Sequence, residues 1–354
     1  MIDGLCLCTR PTRIRSIATT AKRISGLIRQ PISAGGYFTI LLRDPRGHTS
    51  STLAPGELYS LSKKQVVMII TKAGDGYQFV TQPDHATLSG RLAAHWGNDE
   101  FDQPAPHSAV CLAAEHHDHG WRSYDLRPHI DDDGTPRNFT NVPGEEWVEF
   151  YTYGIEAVAE VDAYAGLLTS MHATGLRRGG YGARPSIPDL SDGPPYESFV
   201  ADQEQFQRDL LADLQDGRYS SYTDPDEQEF LSRLHETGDA EEANSTPEES
   251  RLWTNYLLLQ TFDVLSLYFC GASELGRTEV GPVPTPTADG RLSLTVEPIG
   301  PSTVEVEPSP FDTAPLTLSV TTRTVPKMDA DEKETEIVAA YYGAEQRQTE
   351  FTLY

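Results

Sequence analysis

The run from Leu252 to Cys270 (Leu-Trp-Thr-Asn-Tyr-Leu-Leu-Leu-Gln-Thr-Phe-Asp-Val-Leu-Ser-Leu-Tyr-Phe-Cys) is apolar on nearly every side when wound at helical pitch. A helix with so little polar face has to be wrapped by other elements, so this segment predicts a buried central helix. Asp263 falls inside it. A carboxylate in that position must be paired, protonated or bound to a cation, because burying it alone would cost several kcal/mol.

The residues ahead of this helix also read as helical, and they carry most of the histidine. His85, His95, His107, His116, His117, His119 and His129 account for seven of the ten histidines in the chain. Thr81 can cap a helix whose first turn holds Pro83, and Leu88, Leu92 and Trp96 then recur on one face until Gly97-Asn98. His85 shares that face. A second helix is predicted from about His107 to His119. Advancing 100° per residue, Val110, Ala114, His117 and Trp121 form one stripe with Asp118 beside it. Leu112, Glu115, His116 and His119 point the other way, toward solvent or the rim of a cleft. Glu145–Val161 is amphipathic, and Ala163–His172 continues it with Leu168 and His172 on one face.

His85, His117, Asp118, His172 and Asp263 therefore lie on the inward faces of four predicted helices. Neutral imidazole and carboxylate are common ligands of divalent metals, and Mn, Fe, Zn or Mg would suit such a set. A bound metal brings the pKa of its water toward ~7, which is what hydrolysis needs. On this reading His85, His117, Asp118 and Asp263 are ligands, His172 is a further ligand or general base, and His116 is a catalytic candidate at the rim. The order His…His-Asp…Asp resembles the metal site of the HD-type phosphohydrolases. Each residue also has a structural reading. His85 can bond a backbone group at its helix end, His172 can be a packed hydrogen-bonded histidine, and Asp263 can pair with a core Arg, His or Tyr. No Gly-x-Ser-x-Gly elbow, phosphate-binding loop or dinucleotide fingerprint is present. Cys111, six residues before His117, reads as a small buried cysteine rather than as half of a Cys–His pair.

The flanks are β-prone. Met68–Thr71 and Tyr77–Thr81 enclose Lys72-Ala-Gly-Asp-Gly, a hairpin signal. Beyond Gly281, strands are predicted over Arg291–Val296, Ser302–Val306, Leu316–Thr324 and Thr349–Tyr354. Residues 128–144 and 177–197 read as loops, the Asp131-Asp132-Asp133-Gly134 run being a solvated turn that lacks the spaced acids of a calcium loop. Phe199–Leu214 reads as an acidic surface helix, and residues 215–250 as a helix-containing insertion. The expected fold class is α+β in one domain over 68–354: an N-terminal hairpin, a helical bundle over about 81–270, and a small C-terminal antiparallel sheet.

Charge separates this domain from what precedes it. Residues 1–64 hold ten Lys and Arg against three Asp and Glu, leaving 18 against 50 for the remainder of a chain whose net charge is −25. The basic segment shows no sustained period and reads as mostly disordered, with Met68 favoured as the true first residue. Between Lys72 and Lys327 there is no lysine. An acidic, lysine-poor surface suits a high-salt cytoplasm, where screening over about 3 Å at 1 M salt removes most self-repulsion. The same charge argues against a nucleic-acid partner, which needs a basic face; the partner expected from the candidate site is a small-molecule substrate. No stretch of 18 apolar residues exists to span a membrane. Cys6, Cys8, Cys111 and Cys270 are too scattered for a disulfide framework, so a reduced, cytoplasmic setting is expected.

Residues 68–354 resemble the uncharacterised family catalogued as domain of unknown function 3891. The resemblance rests on Thr81-Gln82-Pro83-Asp84-His85-Ala86 with Trp96-Gly97, and on His116-His117-Asp118-His119-Gly120-Trp121. Ser170-Met171-His172, Asn255–Gln260, Asp263–Leu267 and Pro308-Ser309-Pro310-Phe311 with Arg323 add to it. His119 stands where the family commonly has a second acid or Asn. The resemblance implies a mainly helical single domain with β flanks and assigns no activity. Metal-dependent hydrolysis of phosphate esters or nucleotides is thus inferred from residue placement. The rival readings are a non-catalytic binding module with a buried His/Asp network and a non-haem iron protein for oxygen chemistry.

Overall fold

The hairpin forms where the Gly-Asp turn directs it. In the computed structural model, which describes residues 68–130, 135–183, 193–243, 250–285, 290–327 and 334–354, β1 (Ile69–Ala73) and β2 (Gly76–Val80) pair antiparallel about Gly74-Asp75. Gly74 supplies the left-handed φ of +61° that the tight turn requires. The expectations for residues 1–64 and for the Asp131–Gly134 run fall outside the described residues, and those for 177–197 and 215–250 fall partly outside.

Helix α1 (Gln82–Ala94) starts as its sequence predicts: the Thr81 hydroxyl accepts the Asp84 N–H at 3.1 Å, and proline occupies the first turn. Helix α2 (His107–His116) is shorter than expected. It stops one residue before His117, and a 3-10 turn over His119–Ser123 carries the chain away. Helices α3 (Gly144–Val161) and α4 (Ala163–Gly175) are joined through Asp162, whose carboxylate accepts the Ala165 N–H at 3.0 Å. Helix α5 (Pro194–Leu214) begins before the predicted position and buries Phe199, Gln203, Gln207, Leu210 and Leu211, so it is more than a surface helix. After α6 (Pro225–Thr237) and α7 (Ala240–Ala243), α8 (Arg251–Gly271) runs through the core, packed on α1, α2 and α4 and against β1. Its first turn is closed by Glu227 of α6, which accepts the Arg251 and Leu252 N–H groups. Among the described residues no helix is long and apolar enough to cross a membrane.

The expected small C-terminal antiparallel sheet is not what forms. Strands β3 (Thr278–Pro284), β4 (Arg291–Gly300), β5 (Thr303–Glu307), β6 (Leu316–Pro326) and β7 (Gln346–Leu353) join the N-terminal hairpin in one seven-stranded sheet of order β1-β2-β6-β7-β5-β4-β3. The sheet is mixed, since β5 and β7 are parallel. The reason is the length of β6. Its Leu316–Arg323 portion pairs with β7, and its last four residues reach β2, from Phe79↔Arg323 to Gly76↔Pro326. A free hairpin is marginal alone and exposes an unpaired edge, so adding it to β6 satisfies both needs. Close approach is possible because Gly76 has no Cβ: one there would sit 2.3 Å from the Val325 carbonyl oxygen. Two further elements were not expected. Strand β3 holds Pro282 and Pro284, which argue against a strand interior but are tolerated at a sheet edge. Helix α9 (Glu334–Gly343) interrupts the predicted β tail.

Two devices hold these elements together. Trp96 packs on Phe262 of α8 and on Phe311 of the Pro308–Phe311 segment, with ring centres 5.2 and 5.9 Å apart, while the Gly97 N–H bonds the Pro310 carbonyl. Elsewhere a buried polar network joins α4, α5 and α6. Gln207 donates to Ser170 and Thr174 and accepts from His235 Nε2 at 2.8 Å, and Arg208 donates to His235 Nδ1 at 2.8 Å. Burial and the Arg208 and Arg178 charges lower the His235 pKa to about 3. An unfolded histidine titrates near 6.5, so the unfolded chain takes up the proton first as pH falls. The contribution of neutral His235 is present above pH 6.5 and is lost as pH drops toward 3, amounting to roughly 1 kcal/mol by pH 5.5. Denaturant titrations at pH 7.5 and 5.5 are expected to show that much more loss in the wild type than in His235→Gln. Equal losses in the two proteins would refute this role.

Candidate metal centre

Four helical segments bring the chemistry-bearing residues together beside a fifth, α3. His85 comes from the first turns of α1, His117 and Asp118 from the end of α2, His172 from α4 and Asp263 from the middle of α8. All are buried, with 1–6% of their surfaces exposed. In each of two groups, His85–His117–Asp118 and His117–His172–Asp263, one possible ligand atom per residue lies within 4.8 Å of the others. The early end of α2 matters here. Asp118 leaves the helix with φ −107° and ψ 24° and turns its carboxylate toward His85 Nε2 at 3.1 Å.

The tautomers follow from the partners. His117 Nδ1–H donates to the Ala114 carbonyl at 2.9 Å, so in the neutral ring Nε2 carries the lone pair. That Nε2 has no hydrogen-bond partner and lies 3.3 Å from Asp263 Oδ1 and 3.6 Å from Asp118 Oδ2. With the Ser266 hydroxyl proton on the Asp263 carbonyl oxygen at 2.8 Å, Ser266 accepts at 2.6 Å from His85 Nδ1–H. His85 Nε2 is then also a lone pair, 3.1 Å from Asp118 and 3.6 Å from Asp263. Two imidazole lone pairs thus face two carboxylate oxygens. Such a set is self-repelling unless a cation, a proton or a metal ion, lies among them.

In the metal-free protein that cation is a proton. Burial alone would lower the pKa of His117, but Asp118 and Asp263 outweigh it and raise it to about 9. Burial opposes charge on Asp118 and Asp263 as well, yet the neighbouring histidines hold both below the usual carboxylate range. His172 is different. Burial and the adjacent His117, whose ring centre is 4.8 Å away, lower it to about 4, so it is neutral. Gln260 donates to its Nδ1 at 2.9 Å, and the Gln260 Oε1 is buried without a partner; turning the amide over would free His172 Nε2 as a lone pair.

Tyr151 of α3, Ser266, Ser89 and Gln260 complete the surroundings, and sequence reasoning missed all four. Tyr151 donates its hydroxyl to Asp118 Oδ1 at 2.8 Å; burial and the Asp118 charge keep that hydroxyl protonated. Ser89 and Ser266 sit four and three residues after His85 and Asp263, and they bond each other at 2.8 Å. Small polar residues one turn from a candidate ligand on otherwise apolar helices were the available signal. His116 lies outside both groups. It is half-buried against His119, with ring centres 5.5 Å apart, and burial lowers its pKa. Cys111 approaches His107 at 3.6 Å rather than His117, and burial pushes its thiol up to about 11, away from nucleophilic use.

The family model described as "Protein of unknown function (DUF3891)" matches residues 68–327. That span contains the whole cluster and ends with β6 and Lys327. No curated protein and no solved structure matches the chain.

Proposed function

The chain belongs to the DUF3891 family of proteins of unknown function, and we propose that its buried cluster is the divalent-metal site of a hydrolase acting on phosphate esters or nucleotides. The observation that carries this reading is the pair of Nε2 lone pairs on His85 and His117, each fixed by an acceptor at Nδ1 and aimed at Asp118 and Asp263. Histidine ligands whose second nitrogen is held by an oxygen are the usual arrangement around a metal. His85, His117, Asp118 and Asp263 would hold the ion, with His172 beside His117 and Asp263 as a further ligand. A divalent ion so held would supply Lewis-acid polarisation of a phosphoryl oxygen and acidification of water. Tyr151 orients Asp118, and Ser266 orients His85. The neutral His172 is too weakly basic to take a proton at neutral pH, so its place is that of a ligand. His116, half-buried outside the cluster, is left as a candidate for proton exchange with solvent. The substrate would be a small molecule met in the cytoplasm.

A second reading is favoured by one observation. The side chains converge on one another with almost no exposure, as a purely structural polar network would. Elemental analysis of protein purified without chelator separates the two. One or two equivalents of a transition metal are expected in the wild type and none in Asp118→Asn, which keeps the shape and an acceptor for Tyr151 but loses the anionic oxygen. Metal-free wild type, even after reconstitution with Mn, Fe or Zn, would leave the structural network.

A further inference from the structure

Arg177 follows α4 closely, its N–H bonded to the Thr174 carbonyl at 2.9 Å. Its guanidinium carbon sits in the corner made by two aromatic rings, 3.9 Å from the centre of Trp147 and 3.6 Å from that of Tyr196. Those rings stand 84° apart, so the planar group is held from two directions. Such contacts fix the orientation of the plane. No carboxylate among the described residues pairs with it, and its Nε is buried without an acceptor. The neighbouring Arg178 makes the contrast: it pairs with Glu204 at 2.8 Å and donates to the His235 carbonyl at 2.6 Å. In a chain with 53 acidic and 28 basic residues, a pinned arginine without an acid is not explained by charge balance.

Its position relates it to the buried cluster. The Trp147 ring that contacts Arg177 lies 4.2 Å from the Tyr151 ring, and the Tyr151 hydroxyl is 2.8 Å from Asp118. Trp147 and Tyr151, one turn apart on α3, thus connect the guanidinium to the cluster. We propose that Arg177 is a binding residue for a phosphoryl oxyanion, its in-plane N–H groups receiving two oxygens of a phosphate delivered on the Tyr151 side of the cluster. A fixed guanidinium edge matches that geometry, which a lysine cannot reproduce. The inference deepens the hydrolase reading and rests on it for the role of the bound phosphate, although the binding itself can be measured separately.

The probe is radiolabelled inorganic phosphate in equilibrium dialysis with the full chain, run with chelator and with added Mn. The wild type is expected to bind phosphate saturably in both conditions. Arg177→Gln should weaken binding at least tenfold, and Arg177→Lys should fall between. Excess acetate should not displace the phosphate. Arg177→Gln binding phosphate as tightly as the wild type, a wild type that binds none, or displacement by acetate at equal concentration would each overturn the proposal. Circular dichroism checks that the Gln variant is folded; should it unfold, the Lys variant decides, since unchanged affinity there removes the case for a bidentate fork. Metal content measured on the same samples keeps the two readings apart. Metal-free wild type with Arg177-dependent phosphate binding sinks the hydrolase alone, and metal retained with unaltered phosphate affinity in Arg177→Gln sinks the anion site alone.

Discussion

Gly120→Ala is expected to destabilise the protein by about 3 kcal/mol or more, and to abolish soluble expression if that margin is absent. Gly120 lies in the 3-10 turn that follows His117-Asp118, where the chain crosses α3. A Cβ there would fall 1.8 Å from the Phe150 carbonyl oxygen and 2.6 Å from its carbon. Both obstacles are backbone of a helix, so no side chain can swing aside. Gly154 forms the other half of the contact, since a Cβ on it would lie 2.6 Å from the Gly120 nitrogen. The two glycines let the turn press against α3, and that approach is what brings Asp118 within reach of Tyr151. At roughly 2–4 °C per kcal/mol for a chain of this size, the midpoint of thermal unfolding should fall by roughly 6–12 °C. Gly276→Ala is the control: nothing lies within 4 Å of its added Cβ, and a change within about 0.5 kcal/mol is expected. A Gly120→Ala protein melting with the wild type would show that the turn does not need this approach.

The second large effect concerns the ion. If the cluster holds a metal in the folded state only, free metal at a thousand times its dissociation constant adds about 4 kcal/mol, or roughly 8–16 °C in melting temperature. Melting should therefore depend steeply on added Mn or Zn, and chelator should remove the whole increment. In Asp118→Asn the curves with metal and with chelator should coincide. The direction follows from the charges: two carboxylates held ionised by the neighbouring histidines, against the cost of burial, share the proton on His117 until a metal displaces it. A wild-type melting curve indifferent to chelator and metal would argue for the structural network instead.

What could be read from the sequence was what depends on neighbours in sequence. The cap at Thr81, the buried stripe of Val110, Ala114, His117 and Trp121, and the submerged Asp263 each follow from a period or a single turn. The structure also brings His85, His117, Asp118, His172 and Asp263 together, as their inward faces suggested. The sheet was misjudged because its decisive pairing, Phe79 with Arg323, spans most of the domain, and no local pattern announces that β6 is long enough to serve two partners. The surroundings of the cluster were missed for a related reason. Tyr151 and Gln260 matter through the atoms they meet on other helices, and their own segments read only as amphipathic or apolar.

The position of β7 has a consequence for how the molecule is made. Among the described strands it alone connects the wing β1-β2-β6 to the wing β5-β4-β3, and it comes after the other six in the chain. During synthesis the β1-β2 hairpin emerges before the helices that carry the cluster, β3 to β6 follow those helices, and among the described strands residues 346–353 are what joins the two sets into one sheet. Until then Leu316–Arg323 and the Thr303-Val304 stretch present open edges, the form in which strands most readily find the wrong partner. Order of synthesis and order in the sheet are inverted here, so the closing step spans long contacts and waits for the last of the seven strands.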